Sequence, residues 1–231
     1  MKMKIAGFQK LTLLDFPGKT ACTVFTHGCN LRCPFCHNSP LVTGKEEESI
    51  SEEEFFSFLR KRQGILDGVA ITGGEPLLQP DIEEFISKIK ALGYSVKLDT
   101  NGFFPDRLRS VVEKNIVDYV AMDIKNSLNK YAVTCGRKEL DISPLLDSID
   151  ILKKGNTEFE FRTTAVKGFH TPEDFESIGR LLEGAENYFI QNFVDSGALI
   201  KEGLTGLTKE EMALCLSAAQ KYLPTAKLRG I

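Results

Sequence analysis

Six short apolar runs, each followed by an amphipathic stretch, constrain the fold of this chain more than any other feature. The runs are Ala21–Phe25, Val69–Ile71, Val96–Leu98, Val117–Met122, Phe159–Val166 and Tyr188–Phe193. Between them the spacing turns helical. Ser51 with Glu54 reads as a capping box ahead of Phe55, Phe56, Phe58 and Leu59. Ile82, Phe85, Ile86 and Ile89 follow the i, i+3, i+4, i+7 rule and stop at Gly93. A helix from Pro105 carries Leu108, Val111 and Val112, and Ser143-Pro144 reads as an N-cap and first-turn pair. Thr171-Pro172 opens another helix, and Thr208 with Glu211 caps one that runs to about Leu223 and stops at Pro224. Six strands alternating with helices imply parallel pairing through right-handed crossovers, hence an α/β protein. Six units fall short of a closed eight-stranded barrel. An open partial barrel or a doubly wound sheet remains.

The alternation runs through the 231 residues without a repeat, a low-complexity tract or a Pro/Ser-rich linker, so one domain over 1–231 is the economical reading. It divides into an N-terminal segment 1–19, the alternating body 20–193 and a C-terminal loop and helix 194–231. The charge run Lys45–Glu48 is expected to be a solvated loop. A net charge of -3 gives no general basic field for nucleic acid. No apolar run is long enough to cross a bilayer, and Met1–Asp15 lacks a secretory pattern. The expectation is a cytoplasmic, reducing location, where the six cysteines do not form a disulfide framework. Cys22, Cys29, Cys33 and Cys36 crowd one stretch; Cys135 and Cys215 stand alone and are expected to be packing residues.

Polar and glycine residues follow four of the runs: Thr26-His27-Gly28, Thr72-Gly73-Gly74-Glu75, Asp99-Thr100-Asn101-Gly102 and Asp123-Ile124-Lys125. In parallel α/β proteins these ends share the face that carries the site. Cys29, Cys33 and Cys36, spaced C-x3-C-x2-C, come directly after the first strand. Three thiolates on a four-iron cluster leave one iron open, unlike the full ligand set of an electron-transfer cluster. Cys33-Pro34-Phe35-Cys36-His37 also matches the haem attachment pattern C-x-x-C-H, and the three cysteines with His37 match a zinc donor set. Gly73-Gly74 permits close backbone approach to a ligand, with Glu75 available for an ammonium group. Asp99 and Asp123 can cap the helices that follow them or, with Thr100, offer oxygens to a cation. Lys125 is a surface lysine or a partner for a ligand carboxylate or ribose.

The cysteine spacing with Phe35, together with Gly73-Gly74-Glu75-Pro76, resembles the radical S-adenosylmethionine (SAM) superfamily. More narrowly, Leu11–Lys19, Gly28–Cys33 and Cys36-His37-Asn38 resemble the activases of glycyl-radical enzymes. The longer form of the anaerobic ribonucleoside-triphosphate reductase activating proteins is the nearest group, and the pyruvate formate-lyase activating enzymes are near relatives. This resemblance implies a partial (β/α)6 barrel of the TIM type. It also implies one [4Fe–4S] cluster on Cys29, Cys33 and Cys36, and SAM bound at the open iron. Reductive cleavage of SAM would give a 5′-deoxyadenosyl radical that takes hydrogen from a backbone glycine of a partner enzyme, the electron coming from a flavodoxin- or ferredoxin-type donor. By the same resemblance Phe35, His37, Gly73, Gly74, Glu75 and Lys125 would line SAM. Asp99, Thr100, Asp123 and the carbonyl of Ala121 would form a monovalent-cation site, and Asp15 and Arg162 would face the partner's glycyl loop. Phe16 stands where the activases have a glycine, and Lys19 where an arginine follows two places on; no histidine lies near Asn192–Asp195 to match the late SAM-touching one. No second cysteine cluster precedes Gly73, so an inserted ferredoxin-like domain is not expected. The competing enzyme reading is a radical SAM catalyst of a small molecule, such as a deazapurine synthase; the competing non-enzyme reading is a metal-binding module.

Overall fold

The computed structural model describes residues 3, 5–44, 50–195 and 197–230. The expected loop at Lys45–Glu48 lies outside the described residues. All six expected strands form: β2 (Ala21–Thr26), β3 (Gly68–Gly73), β4 (Ser95–Thr100), β5 (Tyr119–Asp123), β6 (Glu158–Ala165) and β7 (Tyr188–Asn192). Two more, β1 (Ile5–Thr12) and β8 (Lys227–Arg229), extend the sheet at its edges. Strand order is strictly consecutive, β1 to β8, with every pair parallel except β1–β2. A doubly wound sheet reverses its strand order at a switch point. This sheet does not, and among the described residues its ends do not pair, so it is an open partial barrel.

The N-terminal segment 1–19, for which the sequence gives no strand, contributes β1 to the sheet. Ile5 pairs with Thr26 and Thr12 with Ala21, which lays β1 antiparallel along the barrel's first edge. The strand escaped notice because its inner half is Gly7 and its outer half is the exposed Gln9-Lys10-Leu11. Ile5, fully buried, and Phe8, 5.3 Å from Phe55 and 4.9 Å from Phe58, anchor it.

The helices occupy the outer layer: α1 (Ser39–Thr43), α2 (Glu52–Arg60), α3 (Ile82–Ala91), α4 (Pro105–Glu113), α5 (Tyr131–Thr134), α6 (Ser143–Lys154), α7 (Pro172–Leu181) and α8 (Lys209–Gln220). Their buried stripes match the expected spacing: Phe55, Phe56 and Leu59 in α2, and Ile82, Phe85, Ile86 and Ile89 in α3. Two caps differ in detail. Ser51 accepts from the Glu54 N–H, but that is half of the expected box. Ser143 is the first helical residue rather than the cap, since its hydroxyl and N–H both donate to Asp141. Thr208 and Glu211 form the full reciprocal box. Among the described residues no helix is long and apolar enough to cross a membrane.

Alternation along the strands sorts the interior. Val96, Leu98, Val120, Met122, Phe161 and Ile190 point out to the helices and are buried. Their neighbours Lys97, Asp99, Asp123, Glu160 and Arg162 pair with one another on the inner face. The half-barrel thus encloses a polar lumen rather than the layers of branched apolar side chains that fill a closed barrel.

Candidate active site

The mouth of the lumen is built by the loop from His27 to Asn38, and four backbone bonds fix that loop. The Gly28 N–H donates to Leu41 O (2.9 Å) and the Gly28 carbonyl accepts from Glu75 N–H (2.8 Å). The Arg32 N–H donates to Cys135 O (3.0 Å), and Pro34 O accepts from Lys201 N–H (2.9 Å). The second of these explains the paired glycines. A Cβ on Gly74 would lie 1.8 Å from the Gly28 oxygen, and Gly73, at φ +114°, would place one 2.3 Å from Thr26 N. Only glycine lets the end of β3 press against the start of the cysteine loop.

Cys29, Cys33 and Cys36 line one cavity of about 250 Å³ together with Phe35, Gly73, Glu75, Asp99, Asp123, Lys125 and Arg162. Sequence-distant residues therefore converge on one cavity, and of the site residues expected from the resemblance Asp15 and Ala121 stand outside its lining. The Cys29 sulfur accepts from the Leu31 N–H (3.4 Å) and from Asn101 Nδ2 (3.6 Å). Burial pushes the Cys29 thiol up to about 11 and raises Cys36 as well. A hydrogen bond from Cys135 lowers Cys33. Lys125 favours the thiolate form of all three. Such buried thiols release their protons when a metal takes their place. Among the described residues no three His, Cys, Asp or Glu side chains converge on a point that could hold a single metal ion. Sulfurs set around a cavity, with N–H groups donating to one of them, fit the larger iron–sulfur cluster. His37 is not drawn toward them as a fourth ligand, being stacked on Phe193 at 5.3 Å.

Glu75 has a different task from the one its motif suggests. Its carboxylate is buried and accepts from Leu77 N–H (3.1 Å), Thr100 Oγ1 (2.8 Å) and Asn101 N–H (2.7 Å). It clamps the end of β4 to the end of β3 and so aims Asn101 at Cys29. Burial lifts it to about 7 against these donors. The Gly73 carbonyl is likewise engaged, accepting from Asn38 Nδ2 (2.9 Å).

Below the mouth, charges alternate. Asp99 pairs with Lys97 and with Arg162 (3.3 Å), and Asp123 pairs with Arg162 (3.0 Å) and Lys125 (2.9 Å). Burial opposes ionisation of both carboxyls, but Arg162 and then the lysines hold them below the usual carboxylate range. Protein cations occupy the oxygens proposed for a monovalent cation, and Thr100 turns its hydroxyl to Glu75. Ala121 sits between the two aspartates in the register, opposite Asp99. Deeper still, Asp15 accepts from Thr23 Oγ1, and Phe16 closes the floor, 6.3 Å from the Tyr119 ring. Asn101 and Asn38 stand inside motifs read from the sequence but without a role of their own there, and Lys97 and Phe193 carry no such signal.

Comparison with known proteins agrees with this arrangement. Residues 23–182 match the model of the radical SAM superfamily. The whole chain is 33% identical to 98% of a protein of Methanocaldococcus jannaschii named "Putative glycyl-radical enzyme activating enzyme". About half of it, 53%, is 33% identical to 53% of the pyruvate formate-lyase-activating enzyme of Listeria monocytogenes. Among solved structures, a radical SAM methyltransferase from Sphaerobacter thermophilus superposes with a TM-score of 0.74 over 95% of this chain and 68% of its own, at 14% identity. A cysteine loop at the mouth of an open half-barrel, its match to the family model and its full-length likeness make the chain a member of the radical SAM superfamily.

Proposed function

We propose that this enzyme is an activase that takes a hydrogen atom from a backbone glycine of a glycyl-radical enzyme, anaerobic ribonucleoside-triphosphate reductase being the first partner to test. The superfamily implies one [4Fe–4S] cluster and SAM. When bound, they supply a carbon radical able to abstract hydrogen. Cys29, Cys33 and Cys36 would hold the cluster; Phe35, His37, Gly73, Gly74 and Lys125 would surround SAM, with Glu75 as the clamp behind it. Lys125 is suited to a ligand carboxylate, since its ammonium already lies near the three sulfurs and Asp123.

The observation that carries the reading is the lumen. It opens from the cysteine cavity and is lined by internally paired charges, Asp99, Arg162 and Asp123, with the buried Lys97 paired to Asp99 behind them. Paired charges leave little net field but many fixed donors and acceptors, which suits an uncharged peptide backbone better than an apolar or singly charged small molecule. Asp15 and Arg162 would meet the glycine-bearing segment from the floor and the wall. Full-length similarity to the Methanocaldococcus protein supports the same reading.

The test is electron paramagnetic resonance of the reduced, reconstituted protein with SAM and a candidate partner, using anaerobic ribonucleotide reductase in one arm and pyruvate formate-lyase in another. A glycyl-radical doublet on either supports an activase and chooses the partner. SAM cleavage stimulated by a small substrate, with no doublet on any partner, would overturn it.

A further inference from the structure

The charges below the mouth do not fit the monovalent-cation site that the resemblance implies. Asp99 and Asp123 carry four oxygens, and each has a protein cation on it. Asp99 Oδ1 meets the Lys97 ammonium, and Asp99 Oδ2 meets Arg162 Nη2 (3.3 Å). Asp123 Oδ1 meets Arg162 Nε (3.0 Å), and Asp123 Oδ2 meets Lys125 Nζ (2.9 Å). Three positive side chains thus face two carboxylates. The Thr100 hydroxyl is engaged as well, donating to Glu75 (2.8 Å) and accepting from the Gly102 N–H (3.1 Å). The other carboxylates of the lumen are taken up elsewhere. Glu160, 4.0 Å from Arg162, is held by Arg229 and Tyr119, Asp15 by Thr23, and Glu75 by Thr100 and two backbone N–H groups. Among the three cations Lys97 stands apart. Lys125 and Arg162 line the cavity, whereas Lys97 is 1% exposed and lies outside that lining. It sits two residues before Asp99 on the same face of β4. An ammonium buried there is costly unless a carboxylate compensates it, and Asp99 does so.

We propose that Lys97 is a built-in counter-ion that takes the place of an alkali cation in this chain. It holds Asp99, which with Asp123 fixes Arg162 at the cavity wall, and it makes ligand binding at the mouth independent of potassium and sodium. An alkali ion at these oxygens would have to displace an ammonium or a guanidinium, and it would add a fourth positive charge to two negative ones. A tethered ammonium surrenders no translational freedom when it pairs. Its occupancy also does not follow the surrounding salt. Lys97 touches neither the cavity nor anything bound in it, so it is a positioning residue. Removing the ammonium while leaving its space should therefore create the cation site that the wild type does not offer. The proposal rests on the SAM reading of the mouth only where SAM binding is measured.

Two quantities are compared in potassium chloride and in tetramethylammonium chloride at equal ionic strength, the second cation being too large to enter. One is the unfolding temperature of the full chain. The other is the affinity of the reconstituted holoprotein for SAM, by equilibrium dialysis. Wild type should hold SAM equally in both salts, within about twofold. Lys97→Ala should unfold at a lower temperature in tetramethylammonium. It should regain roughly 3–6 °C in about 100 mM potassium or ammonium, the shift for an ion bound with a dissociation constant of about 10 mM. Its SAM affinity should rise roughly fivefold on the same addition. Lys97→Met, which keeps the bulk of the stem without the charge, should be destabilised too but gain nothing from either ion. A wild type that loses more than about twofold in SAM affinity without potassium would overturn the proposal. So would a K97A protein that neither ion restores, or a K97M protein restored as well as K97A. If K97A does not fold, a wild type indifferent to potassium supports the proposal and one that needs it overturns it. Failure of the wild type to bind SAM in either salt would sink the SAM reading, while the unfolding temperatures would still decide the role of Lys97.

Discussion

Replacing Gly74 with alanine should unseat the cysteine loop. The new Cβ would stand 1.8 Å from the Gly28 oxygen and 2.6 Å from its carbonyl carbon, both of them backbone atoms with no rotamer to change. Regaining an ordinary 3.4 Å contact means parting the two backbones by about 1.6 Å. That separation breaks the Glu75 N–H to Gly28 O bond (2.8 Å) and stretches the Gly74 N–H to Thr26 O bond (2.9 Å). Two backbone bonds at about 1 kcal/mol each, with about 1–3 kcal/mol for overpacking, give a loss of about 3–5 kcal/mol. Gly28 directly precedes Cys29, so the displacement reaches the first of the three cysteines proposed to hold the cluster. Gly7→Ala is the internal control: nothing lies within 4 Å of its Cβ, and a change within about 0.5 kcal/mol is expected. Urea unfolding of the apoproteins gives the stabilities, and iron and sulfide content after anaerobic reconstitution gives the cluster. A G74A protein that unfolds within 1 kcal/mol of wild type and binds full iron would show that the contact is not the reason for the paired glycines.

Other outcomes follow from single contacts. Cys33→Ser should leave the circular dichroism of the fold intact while reconstituted iron and visible absorption collapse; full iron retention would remove Cys33 from the ligand set. Glu75→Gln changes the pH response. Burial raises this carboxyl from 4.5 to about 7, so the native state holds its proton more tightly than the unfolded chain. Its contribution to stability is therefore lost as pH rises from 4.5 to about 7, and the advantage of wild type over E75Q should shrink by about 3 kcal/mol across that window. A constant difference from pH 4.5 to 7 would contradict it. Arg229→Met leaves the buried Glu160 without its two-pronged partner (2.7 Å to each oxygen). The Tyr119 hydroxyl remains, so a loss of about 2–3 kcal/mol is expected in urea unfolding, partly restored in E160Q/R229M. A single variant within 0.5 kcal/mol of wild type would mean that the pair is solvent-screened.

The six central strands were legible because each is a run of apolar residues between polar strand ends, and β2 to β7 formed within about two residues of those runs. The edges were not, for a common reason. An edge strand is half solvated and a three-residue strand has no period, so neither β1 nor β8 is expected as a strand from the sequence. The site divided similarly. Thiols in C-x3-C-x2-C announce themselves, whereas Asn101 matters only because Glu75 holds its backbone and Asn30 its amide (2.8 Å). The motif pointed to Glu75 as a ligand for an ammonium group. Its three donors lie on a neighbouring strand and on its own following turn, a pairing that no spacing reveals. Asp99 and Asp123 read as free oxygens because Lys97 and Arg162 approach from positions set by strand register, not by sequence distance.

The two edge strands have a bearing on engineering. β1 starts level with Thr26 at the end of β2, and β8 finishes level with Gln191 at the end of β7. The first and last described residues therefore emerge on the same rim as the cysteine loop, on either side of the gap in the sheet. Any appendage fused to this scaffold, whether an affinity tag, a fluorophore or a tethered partner, is delivered to the doorway of the lumen rather than to its floor. A short tether at either end would hold its cargo beside the cysteine loop, and a bulky tag left in place there would crowd that rim.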